Sequence, residues 1–154
     1  MSKQYTFAMV KSGAVLRRQS MAILSTLPLI GAEIKLIQAR RLSEPDVAAL
    51  YIEHVGKHFY HELRDSVMGQ HGVLCLILSG EGVIARWRRL IGATDPTKAS
   101  PGTLRYDYGV GGADNAVHGS ATVIDAGREI KLMFPEVSDY LLNRWWTGVT
   151  QPNG

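Results

Sequence analysis

The sequence predicts an α+β fold, a four-stranded antiparallel sheet covered by helices, and three observations carry the expectation. Four short apolar segments, at residues 5–10, 31–39, 73–79 and 130–134, read as strands. Helical patterns lie between each strand and the next. A long irregular stretch, residues 94–118, is set into the pattern, and a loop of that length in a domain of this size is usually functional. The order β-α-β-(αα)-β-α-β is that of a split β-α-β, ferredoxin-like sheet.

Residues 5–10 are a short apolar run closed by Lys11. Leu16, Ser20, Ile23 and Leu27 recur at i, i+4, i+7 and i+11, one stripe of a helix. Residues 31–39 alternate, with Ala32, Ile34, Leu36 and Gln38 on one side and Glu33, Lys35, Ile37 and Ala39 on the other. Ser43, Glu44, Pro45 and Asp46 form a helix start: a hydroxyl cap, proline in the first turn, acids at the positive dipole end. Val47, Leu50 and Tyr51 share one face of that helix. Residues 73–79 are almost continuously apolar, as a central strand buried on both faces should be. Over residues 83–91, Val83, Ile84, Trp87, Leu90 and Ile91 fall on one side, with Arg86 and Arg88 flanking. A flanking arginine can lie along the core edge and project its guanidinium into a cleft. Residues 130–134 are the fourth expected strand, stopped by Pro135.

Composition narrows the function classes. The chain has 154 residues, 17 Lys+Arg against 14 Asp+Glu, a net charge of +3, and 45% hydrophobic residues. That is one ordinary globular domain rather than a disordered or fibrous chain. One cysteine cannot form an internal disulfide or a multi-thiolate metal site. No apolar run approaches the roughly 20 residues of a membrane span, and the first residues lack the apolar stretch of a signal peptide. A soluble, cytoplasmic chain with no membrane partner is expected. A charge of +3 is too small to indicate nucleic acid by itself.

Chemistry concentrates in and around residues 94–118. The stretch holds Thr94, Asp95-Pro96, Ser100-Pro101-Gly102, Arg105 and Asp107, and runs through His118 to Ser120 before a short helix. Prolines and glycines fixing a long loop suggest a rigid platform. Ser120 is placed to cap the following helix. A histidine there, with Arg88, Thr94 and Arg105 nearby, suits phosphate chemistry, which needs a nucleophile or acid/base among cations that neutralise the transferring oxygens. A surface histidine on a structured loop is the plainer alternative. His54, His58 and His61 share a helical spacing, but Gly56 interrupts it and no carboxylate or thiol completes a metal set. Gly109-Val110-Gly111-Gly112 fits neither dinucleotide nor P-loop spacing and reads as a turn. Cys75 reads as a small core residue. The pairs Arg17-Arg18, Arg40-Arg41 and Arg88-Arg89 read as solvated element ends apart from Arg88.

Asn115-Ala116-Val117-His118-Gly119-Ser120 resembles the N-x-x-H-G-S-D signature of nucleoside diphosphate kinases. Further matches follow at family-like spacing: Lys11 after the first strand, Tyr51-Ile52-Glu53-His54, Phe59-Tyr60, Arg88, Gly92-Ala93-Thr94-Asp95-Pro96, Ser100 to Arg105, and Glu129. The resemblance runs from Tyr5 to about Tyr140. It implies transfer of the γ-phosphate of an NTP to an NDP by a ping-pong route through a phosphohistidine on His118. It implies that Glu129, with Ser120, orients the imidazole. Arg88, Thr94 and Arg105 would hold phosphates, and Tyr51 would steady the γ-group. Lys11 and Asn115 would bond the ribose hydroxyls, and Phe59 would stack on the base, with Gly112 opposite it. Mg²⁺ would come bound mainly through nucleotide phosphates and water.

Three departures stand out. Ser12-Gly13 replaces the family's Pro-Asp, which loosens the turn after Lys11. Ala121 replaces the aspartate of the signature, removing an acid near a helix start worth about 0.3–1 kcal/mol. Gly112 stands where the family places a larger apolar residue against the base. None removes a group facing the transferring phosphate, so an active kinase is expected. The alternatives are a catalytically weakened relative serving as a nucleotide-sensing or protein-interaction module, and a nucleic-acid-binding regulator using the arginine pairs. The whole chain is expected to form one domain with residues 135–154 as a tail. Trp145 and Trp146 in that tail suit burial against a neighbour in a homo-oligomer, a tetramer or, favoured by the tail's length, a hexamer.

Overall fold

The apolar run expected at the centre of the sheet is there. In the computed structural model, which describes residues 3–137, β3 (Val73–Glu81) pairs antiparallel with both β1 (Lys3–Val10) and β2 (Glu33–Arg40). The fourth strand, β4 (Val117–Gly119), adds antiparallel to the free side of β1, giving the order β2-β3-β1-β4. A bulge between Ile34 and Leu36 shifts the register of β2 against β3. The four-stranded antiparallel, ferredoxin-like sheet is therefore as expected.

Because side chains alternate across a strand, each central strand feeds two cores. Phe7, Met9, Cys75 and Ile77 point to one face and pack with Val47, Leu50, Val67, Ile130 and Met133. These come from α3 (Glu44–Leu50), α4 (Tyr60–Val67) and α7 (Val123–Met133). Ala8, Val10, Leu76 and Leu78 point to the other face, against Ile23, Leu27, Val83, Trp87 and Ile91. That layer is built by α1 (Ser12–Leu16), α2 (Ser20–Leu24) and α5 (Val83–Ile91). Cys75 is a buried core residue whose thiol burial pushes up to about 12. The Ser43 start is a full capping box: Asp46 N–H donates to the Ser43 hydroxyl and Ser43 N–H to the Asp46 carboxylate.

Three sequence expectations are corrected. Residues 130–134 are not a strand: Ile130 and Met133 belong to the end of α7, one buried face with Ala126 and Glu129. A short apolar run is ambiguous between a strand and a buried helix turn, and here the 3.6-residue spacing to Ala126 decides. The strand expected there is instead β4, three residues long. The stripe Leu16–Leu27 is not one helix, because Arg18 turns into the left-handed region (φ 60°) between α1 and α2, and a 3₁₀ turn, Leu27–Ile30, follows. Residues 94–118 hold a 3₁₀ turn, Pro96–Lys98, and α6 (Leu104–Tyr108), started by the Thr103 side chain. The tail with Trp145 and Trp146 lies outside the described residues.

Candidate active site

His118 is the middle residue of β4 and faces Met9 of β1 across the ladder. Alternation buries Val117 and Gly119 against one layer and sends the imidazole to the other side. Ala116, just before β4, adopts a left-handed backbone (φ 72°), unusual for a residue with a Cβ. All three β4 carbonyls accept side-chain donors: Val117 from Arg105 Nη2 (3.0 Å), His118 from Trp87 Nε1 (3.1 Å), Gly119 from Arg88 Nη1 (3.3 Å). The helix α5 thus fixes the strand that carries the histidine.

The imidazole is held from α7. Nε2 lies 2.6 Å from Oε1 of Glu129, whose side chain is only 4% exposed. A carboxylate accepts, so Nε2 carries the ring proton and Nδ1 carries the lone pair. Tyr51 stands edge-on to the imidazole at 5.5 Å and Phe7 packs tilted at 5.6 Å. Ser120 makes its hydrogen bonds elsewhere. Its hydroxyl donates to the Phe7 carbonyl and accepts from the Phe7 amide, clipping β4 to β1. Nor does it cap α7: Thr122 does, accepting from Asp125 N–H at 3.1 Å. With Asp125 in the first turn, α7 keeps an acid at its positive end although position 121 is alanine.

His118 opens onto a cavity of about 540 Å³. Lys11, Tyr51, Phe59, Arg88, Thr94, Arg105, Gly112, Asn115 and Glu129 all line it, five chain segments brought to one place. Ser120 is the one expected site residue that does not line it. Sequence reasoning gave no role to His54, Glu53, Glu62, Leu63, Asp125 or Arg128, which also line the cavity. For His54 a signal existed, its place three residues after Tyr51 on the same wall.

The cavity carries four cations, Lys11, Arg88, Arg105 and Arg128, beside four acids, Glu53, Glu62, Asp125 and Glu129. Lys11 is buried, and its ammonium is pulled down to about 7 by burial and by the Arg105 charge, with Asp114 opposing. Its Nζ donates to the Ala113 carbonyl at 3.2 Å. Arg105, also buried, is lowered to about 10 by burial and then by Arg88, while Tyr51 opposes. Tyr51 is pushed upward by burial and by Glu129. Two buried cations that repel each other are unfavourable alone and favourable around a polyanion. Several buried polar atoms lack a hydrogen-bond partner: the Tyr51 hydroxyl, His54 Nδ1, Arg105 Nε, Asn115 Oδ1 and Glu129 Oε2. Five such orphans around one cavity point to a polar ligand that satisfies them. Asn115 is anchored by its amide, which donates to the Thr94 carbonyl at 2.9 Å.

Residues 4–138 match the family model described as nucleoside diphosphate kinase. A nucleoside diphosphate kinase of Moorella thermoacetica is 40% identical over 134 residues, 87% of this chain and 96% of the relative. One of Sulfolobus acidocaldarius is 34% identical over 139 residues, 90% of this chain and 95% of the relative. Among solved structures, the nucleoside diphosphate kinase of Aquifex aeolicus superposes with a TM-score of 0.81 at 29% identity, covering 86% of this chain and 96% of its own. A Halobacterium salinarum enzyme solved in complex with CDP gives 0.81 at 32% identity, covering 86% and 88%. A strand-borne histidine held by a buried carboxylate over a cation-lined cavity, and these likenesses over most of the chain, agree: the chain belongs to the nucleoside diphosphate kinase family.

Proposed function

We propose that this nucleoside diphosphate kinase passes the terminal phosphate of an NTP to an NDP through Nδ1 of His118. The observation that carries the reading is the 2.6 Å contact from His118 Nε2 to Glu129, which supports the other ring nitrogen of this cavity-lining residue as the nucleophile. In the first half-reaction the Nδ1 lone pair attacks the γ-phosphorus, the bond from that phosphorus to the bridging oxygen breaks, and the NDP leaves with the electron pair. In the second, a β-phosphate oxygen of another NDP attacks the phosphohistidine, and the N–P bond returns its electrons to the ring.

Arg88, Arg105 and Thr94, which line the cavity, would bind phosphate oxygens, and the Tyr51 hydroxyl would bind the γ-group. Lys11 and Asn115 suit the ribose hydroxyls and Phe59 the base, a π-face that accepts any base. Ser120 acts by holding β4 to β1. Mg²⁺ fits the site as part of the nucleotide. Among the described residues no three of His, Cys, Asp or Glu converge on an ion, and Mg²⁺ keeps phosphate and water ligands readily. It would supply neutralisation of the phosphate charge. A homo-oligomer belongs to this reading, supported by exposed Ile34 and Ile37 on edge strand β2. No described helix is long and apolar enough to cross a membrane.

Incubation with γ-labelled ATP and Mg²⁺ should give an acid-labile, alkali-stable phosphoprotein that an NDP discharges. His118→Ala should take up no label. An unlabelled wild type, or full labelling of the variant, overturns the reading.

A further inference from the structure

We propose that Trp87 is a positioning residue for phosphate transfer: its indole N–H fixes the His118 carbonyl and, through the backbone, the imidazole. The inference rests on the proposed function, with His118 as the nucleophile. β4 is a three-residue strand at the sheet edge, paired to β1 through Val117, His118 and Gly119. Ala116 leads into it through a left-handed backbone (φ 72°). So short a ladder, entered through an unfavourable conformation, opens at small cost unless something else holds it.

The imidazole is held from one layer, by Glu129 of α7. Trp87 of α5 holds the same residue from the other layer. Its Nε1 donates to the His118 carbonyl at 3.1 Å, and its ring is only 2% exposed, in the core that includes Val83, Ile91 and Val117. Gly119 makes this approach possible. A Cβ there would stand 2.6 Å from the indole Cδ1 and 2.7 Å from Nε1, closer than packed atoms come. Trp87 itself does not line the cavity, whereas its neighbour Arg88 does. The indole therefore reaches the reaction through the histidine that it holds. Nucleotide affinity, set by the side chains lining the cavity, should not depend on the indole donor. The aim of Nδ1 at the γ-phosphorus should, and misplacing a reacting group by an ångström can cost about 10²-fold in rate.

The test replaces Trp87 by 3-benzothienylalanine, in which sulfur stands where the indole N–H does, so that the shape is kept and the donor is lost. Trp87→Phe, a genetically simpler loss of the same donor, is the second variant. Transfer from ATP to GDP is measured well below the melting temperature of each protein. In both variants kcat should fall about tenfold or more, with KM for either nucleotide within about twofold of wild type. A wild-type kcat in the isosteric variant would make Trp87 a packing residue and overturn the inference, whatever Trp87→Phe does. A raised KM at unchanged kcat would also overturn it, by moving the effect from the histidine to nucleotide binding. An active wild type matched by the isosteric variant overturns this inference alone. A wild type that takes up no label from γ-labelled ATP overturns the proposed function, and this inference with it.

Discussion

Glu129 Oε1 lies 2.6 Å from His118 Nε2, while its Oε2 is buried without a hydrogen-bond partner. The carboxylate therefore does one task for the ring, holding its Nε2 proton, from a position that water does not reach. Glu129→Gln is nearly isosteric, but its amide can donate to Nε2 and move the ring proton to Nδ1. Single-turnover phosphorylation by γ-labelled ATP should then slow by about 10²–10⁴-fold. A melting temperature close to wild type would assign the loss to the tautomer rather than to folding.

Tyr51 offers the opposite pairing of stability and rate. Its hydroxyl is buried with no partner, a cost of about 1–3 kcal/mol while the cavity is empty. Tyr51→Phe should leave Tm unchanged or raised, yet lower kcat/KM by about tenfold, one lost hydrogen bond to the phosphate. Thermal melts beside steady-state kinetics check both halves. A drop in Tm together with unchanged kinetics would make Tyr51 a packing residue.

The sheet was legible where a strand buries both faces, as residues 73–79 do, because a long β-branched and aliphatic run has few other homes. It was illegible at β4, since three residues cannot show a period and Gly119 carries no side chain to count. The same limit put a strand at residues 130–134, where the buried partner of Ile130 is Ala126, outside the apolar run. Of the site, the signature around His118 pointed to most residues individually. Ser120 was assigned to the wrong helix start because two hydroxyls, Ser120 and Thr122, precede α7 and only the hydrogen-bond register separates them.

Lys11 should make both stability and activity depend on pH. Its ammonium titrates near 7 in the folded chain against an ordinary value of 10.5. Below pH 7 both folded and unfolded states are protonated, and the full cost of burying the charge is present. Between 7 and 10.5 the unfolded chain binds more protons, so this contribution to stability improves as pH rises. Lys11→Met should therefore be more stable than wild type at pH 6, by on the order of 3 kcal/mol, with the advantage shrinking toward pH 10. A polyanion binds the ammonium form, so kcat/KM of wild type should fall above pH 7, and Lys11→Met should lack that limb. Urea titrations and pH–rate profiles of the two proteins check these outcomes.

The Ser12-Gly13 departure has a physical partner in Asp114. Arg17 grips that carboxylate with two bonds, Nη1 to Oδ2 at 2.8 Å and Nη2 to Oδ1 at 3.1 Å, and also donates to the Tyr108 carbonyl. The gripped oxygen lies 2.5 Å from where a Gly13 Cβ would stand. Glycine at position 13 leaves room for the Asp114 carboxylate. Gly13→Ala alone should destabilise by about 1–2 kcal/mol, overpacking outweighing the gain in helix propensity. In an Asp114→Ala background the same change should stabilise by about 0.5–1 kcal/mol. The reversal of sign in a double-mutant cycle by urea denaturation would measure the coupling. Ala113, whose carbonyl accepts from Lys11 Nζ, is the residue next to Asp114. Loosening the clamp therefore reaches the nucleotide through Lys11, and Asp114→Ala should raise KM more than it lowers kcat.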